Sequence, residues 1–131
     1  MTFTKKTNPR REHLQQQHER AQASPSLAER FPGLKAVTVE LGHYDAEGVS
    51  RNSQIKYTAN VVRAKSFFRV GCHNPECIGG DFDLSPALAE AVDARHTNVS
   101  GELRCRGWQS KTTMDAVLCG KILRYTLTLG Y

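Results

Sequence analysis

Four thiols are the residues of this chain whose type and spacing most clearly imply chemistry. Cys72 and Cys77 enclose the loop His73-Asn74-Pro75-Glu76, and Gly79-Gly80 follow closely. Cys105 and Cys119 lie downstream, separated by thirteen residues, with Gly107 two positions after the first and Gly120 directly after the second. Thiolate sulfur is a soft ligand, and tetrahedral Zn²⁺ takes four such ligands at about 2.3 Å, most easily from two tight turns brought together. A four-residue spacer falls in the range that such turns use. Pro75 would stiffen the loop, the glycines would let backbone pass close to an ion, and turn N–H groups would donate to the anionic sulfurs.

Two other readings of the thiols stand beside this one. Reduced or bridged cysteines without metal are one, since buried Cys is a common small core residue; an iron–sulfur or catalytic metal centre is the other. The opening residues, MTFTKKTNPRREHLQQQHER, are charged and lack the apolar stretch of a secretory leader, which gives the expectation of a cytoplasmic protein, where persistent disulfides are uncommon. Four protein ligands also close the tetrahedron, whereas catalytic zinc keeps one position open. The expectation is therefore one structural Zn²⁺ per chain, held by Cys72, Cys77, Cys105 and Cys119. His73 or His96 could replace a cysteine, although a lone histidine on a loop is more often solvated.

Signatures of catalysis are missing. The chain has no His-x-Glu of the zinc deaminases, no Cys-x-x-Cys, no phosphate-binding glycine loop, no His-Glu-x-x-His and no Gly-x-Ser-x-Gly. Asp81 and Asp83 beside the cysteine loop read as capping and turn residues ahead of Ser85-Pro86, and His43-Tyr44-Asp45 as a solvated turn. The balance falls against an enzyme.

The elements that must position the thiols follow from periodicity. Residues 34–44 alternate, with Val37, Val39 and Leu41 on one side, as a half-buried strand. Residues 45–53 are turn chemistry, and 54–71 read as a long strand, paired with the first, in which the apolar parity slips at Val61-Val62. A bulge or bend near residues 62–65 would reconcile its two halves. Residues 85–96 read as a helix, with Ser85 at the N-cap, Pro86 at the first helical position, and Leu88, Ala91, Val92 and Arg95 along the inward stripe. Residues 98–109 and 116–131 read as two strands of a hairpin joined by a polar turn at 110–115; in such a hairpin Cys105 and Cys119 can face each other across the strands. Ahead of these, Ser26 caps a single helical turn with Glu29 at the capping-box position, and Leu27 and Phe31 pack together at i and i+4. The expected class is thus α+β: an antiparallel sheet of about four strands with one helix. Residues 27–131 form a single domain, and residues 1–26 a flexible or partly helical basic arm.

At 131 residues the chain suits one domain, and no apolar run approaches the roughly 18 residues of a membrane span. The formal charge of +5 is unevenly spread: residues 1–35 carry +4, and the remainder only +1. Zinc with four thiolates would take that remainder to about −1, so overall basicity is a weak argument for nucleic acid. A more local feature is the strand around Cys105. Arg104, Arg106 and Trp108 share one parity, with Cys105 and Gly107 on the other, and Lys111 follows. Two arginines and an indole on one face suit phosphates and a stacked base; equally, Trp108 could cover the metal site while the arginines answer Glu102, Asp81 or Asp83.

The paired cysteines, over residues 72–80 and 105–120, resemble the zinc-ribbon class of modules, in which cysteines on two hairpin ends clamp one ion. The second pair is spread wider here, and a helix lies between the halves. The resemblance implies a zinc-ribbon-like four-cysteine centre. Together these readings lead to the expectation of a non-catalytic, zinc-stabilised binding domain. Its ligand would be nucleic acid, met through Arg104, Arg106, Trp108, Lys111 and the basic arm, or a protein partner. The last strand, ending at Tyr131, could be an edge that pairs with a second copy.

Overall fold

The computed structural model describes residues 9–74, 77–112 and 115–131, with the side chains of 109–117 set aside. It is an α+β fold with helices α1 (Pro9–Ala23), α2 (Leu27–Arg30) and α3 (Ser85–Asp93). The main sheet is antiparallel, in the order β2 (Arg51–Ala59), β1 (Ala36–Tyr44), β8 (Ile122–Gly130), β5 (Asn98–Arg104). Two small ribbons pair β3 (Arg69–Gly71) with β4 (Asp81–Asp83), and β6 (Trp108–Thr112) with β7 (Asp115–Leu118). No helix among the described residues is long and apolar enough to cross a membrane.

The alternation in the sequence sets the core face of the sheet. Val37, Val39 and Leu41 of β1 lie opposite Leu129, Leu127 and Tyr125 of β8, and their apolar side chains turn to one side. Leu84, with Leu88 and Ala91 of α3, joins the same core. Several of these side chains are fully buried, each stabilising the fold by about 1.5–3 kcal/mol relative to exposure. Ser26 caps α2 by accepting from the Glu29 amide at 3.2 Å, and Leu27 and Phe31 are buried as their spacing predicts.

Three long elements of the sequence reading are broken in the structure. The stretch expected as one strand over 54–71 is β2, a turn through residues 60–66 and then β3. Asn60 makes the break: its carbonyl accepts from the Ala64 amide at 2.7 Å and its side chain from the Val62 amide at 3.0 Å. The hairpin over 98–109 and 116–131 forms, but both strands are interrupted at the cysteines, giving β5 and β6 on one side and β7 and β8 on the other. Helix α3 stops at Asp93, because Arg95 takes a left-handed conformation, φ 54°, that ends it. Arg95 is therefore an exposed terminal residue, reaching over the Tyr131 ring, and takes no part in the inward stripe. The α3 cap also differs. Asp83 Oδ1 accepts from the Ser85 amide at 2.9 Å, while Ser85 Oγ is drawn away to the Phe68 amide at 2.7 Å. The final strand is interior to the sheet, between β1 and β5, so β8 offers no edge to a second copy.

Arg11–Ala23, polar on every face, is helical within α1, which packs on the body of the protein. The Arg20 guanidinium lies 4.2 Å over the Phe67 ring, His13 Nε2 stands 3.7 Å from Asp81 Oδ2, and Ser24 Oγ accepts from the Phe67 amide at 3.3 Å.

Candidate metal centre

The four cysteines come from four separate places and meet in one. Cys72 follows β3, Cys77 ends the loop after it, Cys105 follows β5 and Cys119 precedes β8. Their sulfurs all lie within 4.8 Å of one another, with Cys72–Cys119 and Cys77–Cys105 the close pairs at 3.6 Å. A disulfide needs about 2.05 Å, so these are free thiols. Four sulfurs placed tetrahedrally at about 2.3 Å from one ion stand about 3.8 Å apart. The cluster can hold a metal ion, and its span leaves room for one. Among the described residues it consists of the cysteines alone; His73 lies beside it, and His96 sits at the far end of α3.

Backbone pairing builds the cluster. The Cys105 amide donates to the Lys121 carbonyl at 2.7 Å and the Cys119 amide to the Gly107 carbonyl at 2.8 Å, so the two strand interruptions hold each other. The Cys77 loop then docks on the hairpin through a reciprocal pair of bonds between Ile78 and Trp108, at 2.8 and 3.0 Å. Two glycines make that docking possible. A Cβ on Gly80 would collide with the sulfurs of Cys105 and Cys77, and one on Gly107 with Cys77 Sγ and, at 2.7 Å, with the Gly80 backbone. Gly79 and Gly120 adopt positive φ, 72° and 65°, where a side chain would be strained. The contribution expected of Pro75 lies outside the described residues.

Electrostatics within the cluster are those of sulfurs competing for protons. A hydrogen bond from Cys105 draws the Cys72 thiol down to about 5, against burial and with help from the Asn74 amide. Cys105 is correspondingly pushed up, first by that same bond and then by burial, although the Gly107 amide favours its anion. Burial pushes Cys77 up to about 12. Deprotonating Cys77 and Cys105 beside the Cys72 sulfur is thus helped by a cation among them. Asn74 adds a side-chain donor, Nδ2 to Cys119 Sγ at 3.5 Å. The two amides lie two residues beyond their cysteines, as turn geometry provides.

On the outer side, α1 crosses the cluster. Arg10, His13 and Leu14 enclose, with Cys72, Cys77, Gly79 and Gly80, a cavity of only about 10 Å³. This is too small for a substrate and at the limit for a single water. Next to it His43 stacks on His73, with ring centroids 3.5 Å apart. His43 is 3% exposed and its pKa is lowered to about 4 by burial, then by His73 and Lys121. It is a core residue, not the solvated turn its neighbours in the sequence suggest. Its position on the parity of Val37, Val39 and Leu41 was the available signal.

Of the residues singled out as a surface, Arg104, Arg106 and Trp108 lie on the solvent side while Cys105 and Gly107 are buried. Arg104 is engaged, donating to the carbonyls of Ala46 and Gly120, both at 3.0 Å. Glu102 is answered by Arg124 at 2.9 Å, and Asp81 by Arg69 at 3.5 Å. Trp108 is 40% exposed. Lys111 is on β6, and its side chain falls outside the described residues. No family model matches the chain, and no curated protein or solved structure is significantly similar to it.

Proposed function

We propose that Cys72, Cys77, Cys105 and Cys119 hold one structural Zn²⁺ and that the chain is a non-catalytic binding domain. In this reading residues 27–131 are the zinc-stapled domain and residues 1–26 its basic arm. The observation that carries it is the set of four buried sulfurs at spacings suited to one tetrahedral ion. An all-sulfur set favours zinc or iron among the common metals, and a closed tetrahedron favours structure over catalysis. The cavity of about 10 Å³ that touches Cys72 and Cys77 agrees, since it is too small to admit a reacting ligand. Elemental analysis of purified protein with thiol titration tests the centre. One zinc per chain and no reactive thiols are expected; four free thiols and no metal would refute it.

The ligand follows from the solvent side of the same hairpin. Arg106 and Trp108 are exposed next to the braced Arg104, an arrangement suited to a phosphate and a stacked base. Binding of single-stranded RNA or DNA that weakens with salt and is lost in Arg106→Glu is the expected result. The absence of binding even at low salt would remove nucleic acid. A protein partner is the second reading, favoured by Trp108 and Leu118. They are direct cross-strand neighbours, and Leu118 is 73% exposed, so together they form an apolar surface on the hairpin. That reading predicts a complex that persists at high salt.

A further inference from the structure

On the side of the molecule where β3 leads into Cys72, β2 ends the main sheet and β3 belongs to a ribbon of two strands, so each has one edge without a partner among the described residues. A groove of about 640 Å³ lies between them, with Tyr57 and Thr58 on the β2 side, Arg69 and Gly71 on the β3 side, and Leu14 and His18 of α1 across it. Arg63 and Lys65 also line it, and none of its lining residues is Asp or Glu. Strand β2 itself contains no Asp, Glu or Pro.

The free edge coincides with an uncovered stretch of the core face. Ile55 and Tyr57 are the cross-strand partners of the buried Leu41 and Val39, yet they are 51% and 39% exposed. A strand laid beside β2 would place alternate side chains against this surface and its carboxylates within reach of the cations. On the β3 side there is space: a Cβ built on Gly71 meets nothing within 4 Å.

We propose that an extended acidic peptide segment docks here by strand addition, pairing with the open edge of β2, filling the groove toward β3 and setting its carboxylates against Arg63 and Lys65. Charge complementarity selects an anionic occupant, and a row of open backbone groups is best matched by another backbone. A single-stranded nucleic acid fits less well. Successive bases need successive open rings, but the face of Phe67 is taken by Arg20 and Phe68 is buried, leaving Tyr57 and, on the opposite wall, the His18 imidazole, with no run of adjacent rings. The site is separate from the hairpin surface around Trp108 and does not depend on what that surface binds.

Because main-chain bonds and charge supply the affinity, a simple probe suffices. The full chain with its metal is titrated with fluorescein-labelled, N-acetylated Glu-Val-Asp-Val-Glu-Val-Asp. Binding is expected to weaken about tenfold or more when the central Val of the peptide is replaced by Pro, which removes a ladder donor, and again when its acids are replaced by Lys. The same loss is expected for the Arg63→Glu/Lys65→Glu protein, whose circular dichroism should be unchanged. Hydrogen exchange should show new protection in β2 and β3. Absence of binding, equal affinity for the Pro-containing peptide, or protection elsewhere would overturn the proposal. So would a groove that binds octa-uridine, with loss in the same double variant, and ignores the peptide.

Discussion

Gly80 and Gly107 show how narrowly the centre is built. The two backbones pass so closely that a single methyl on either would strike a cysteine sulfur, and neither position can relieve the overlap by turning a side chain. Gly80→Ala or Gly107→Ala is expected to cost about 3 kcal/mol, the upper end for overpacking, and to lower the metal content of purified protein. Full zinc loading with an unchanged melting temperature would contradict the geometry. His43 offers a second test. Its folded pKa is lowered to about 4, below the ordinary 6.5. Between those values the unfolded chain holds a proton that the folded one refuses. Stability should therefore be complete above about pH 6.5 and fall as the pH drops toward about 4, with a slope of at most about 1.4 kcal/mol per pH unit. Denaturant titrations of the wild type and His43→Leu over that window isolate this slope from acid loss of metal. Parallel curves would show that His43 does not titrate as its burial demands.

At the level of elements, the strands were legible wherever burial is one-sided. Val37, Val39 and Leu41, and later Leu127 and Leu129, alternate because one face of the sheet is dry. The breaks were harder to see. Residues 60–66 and the interruptions at Cys105 and Cys119 keep strand-like composition; the first turns on the local Asn60 bonds, and the chain breaks at the cysteines for reasons set by distant partners, the Ile78–Trp108 bridge and the Gly107 carbonyl. The parity slip at Val61-Val62 and the four thiols marked the places without giving the geometry. Helix α1 was least legible, since it has no apolar stripe and no buried residue; a few polar and cation–π contacts hold it across the cluster. Its place on the outer side of Cys72 and Cys77 gives it a measurable consequence. Deleting residues 1–23 should leave zinc bound but speed its transfer to a chromophoric chelator by about tenfold, since local opening of the cover would no longer be required. An unchanged transfer rate would mean that α1 does not guard the centre.

For the whole molecule the question is whether the metal or the core carries the fold. A structural zinc site can add on the order of 10 kcal/mol to folding, and small fingers collapse without it. This chain is differently placed. Leu27, Val37, Val39, Leu84, Leu88, Leu123 and Leu127 are fully buried in a core that joins the four-stranded sheet, α2 and α3. The cysteines sit at one end of that core, where the β5–β8 hairpin runs on into β6 and β7, and the segments that supply them have little other support. Among the described residues, Ile78 is tied to Trp108 by two backbone bonds, and β6 and β7 pair with each other and with Ile78. Chelation should therefore divide the molecule. With EDTA, amide exchange is expected to accelerate across residues 66–83 and 104–120 while β1, β8 and α3 keep most of their protection, and the far-ultraviolet signal should persist. Global loss of protection would make the metal the keystone of the entire fold. Uniform protection with and without chelator would mean that the four thiols pack as ordinary core residues and that no ion holds them together.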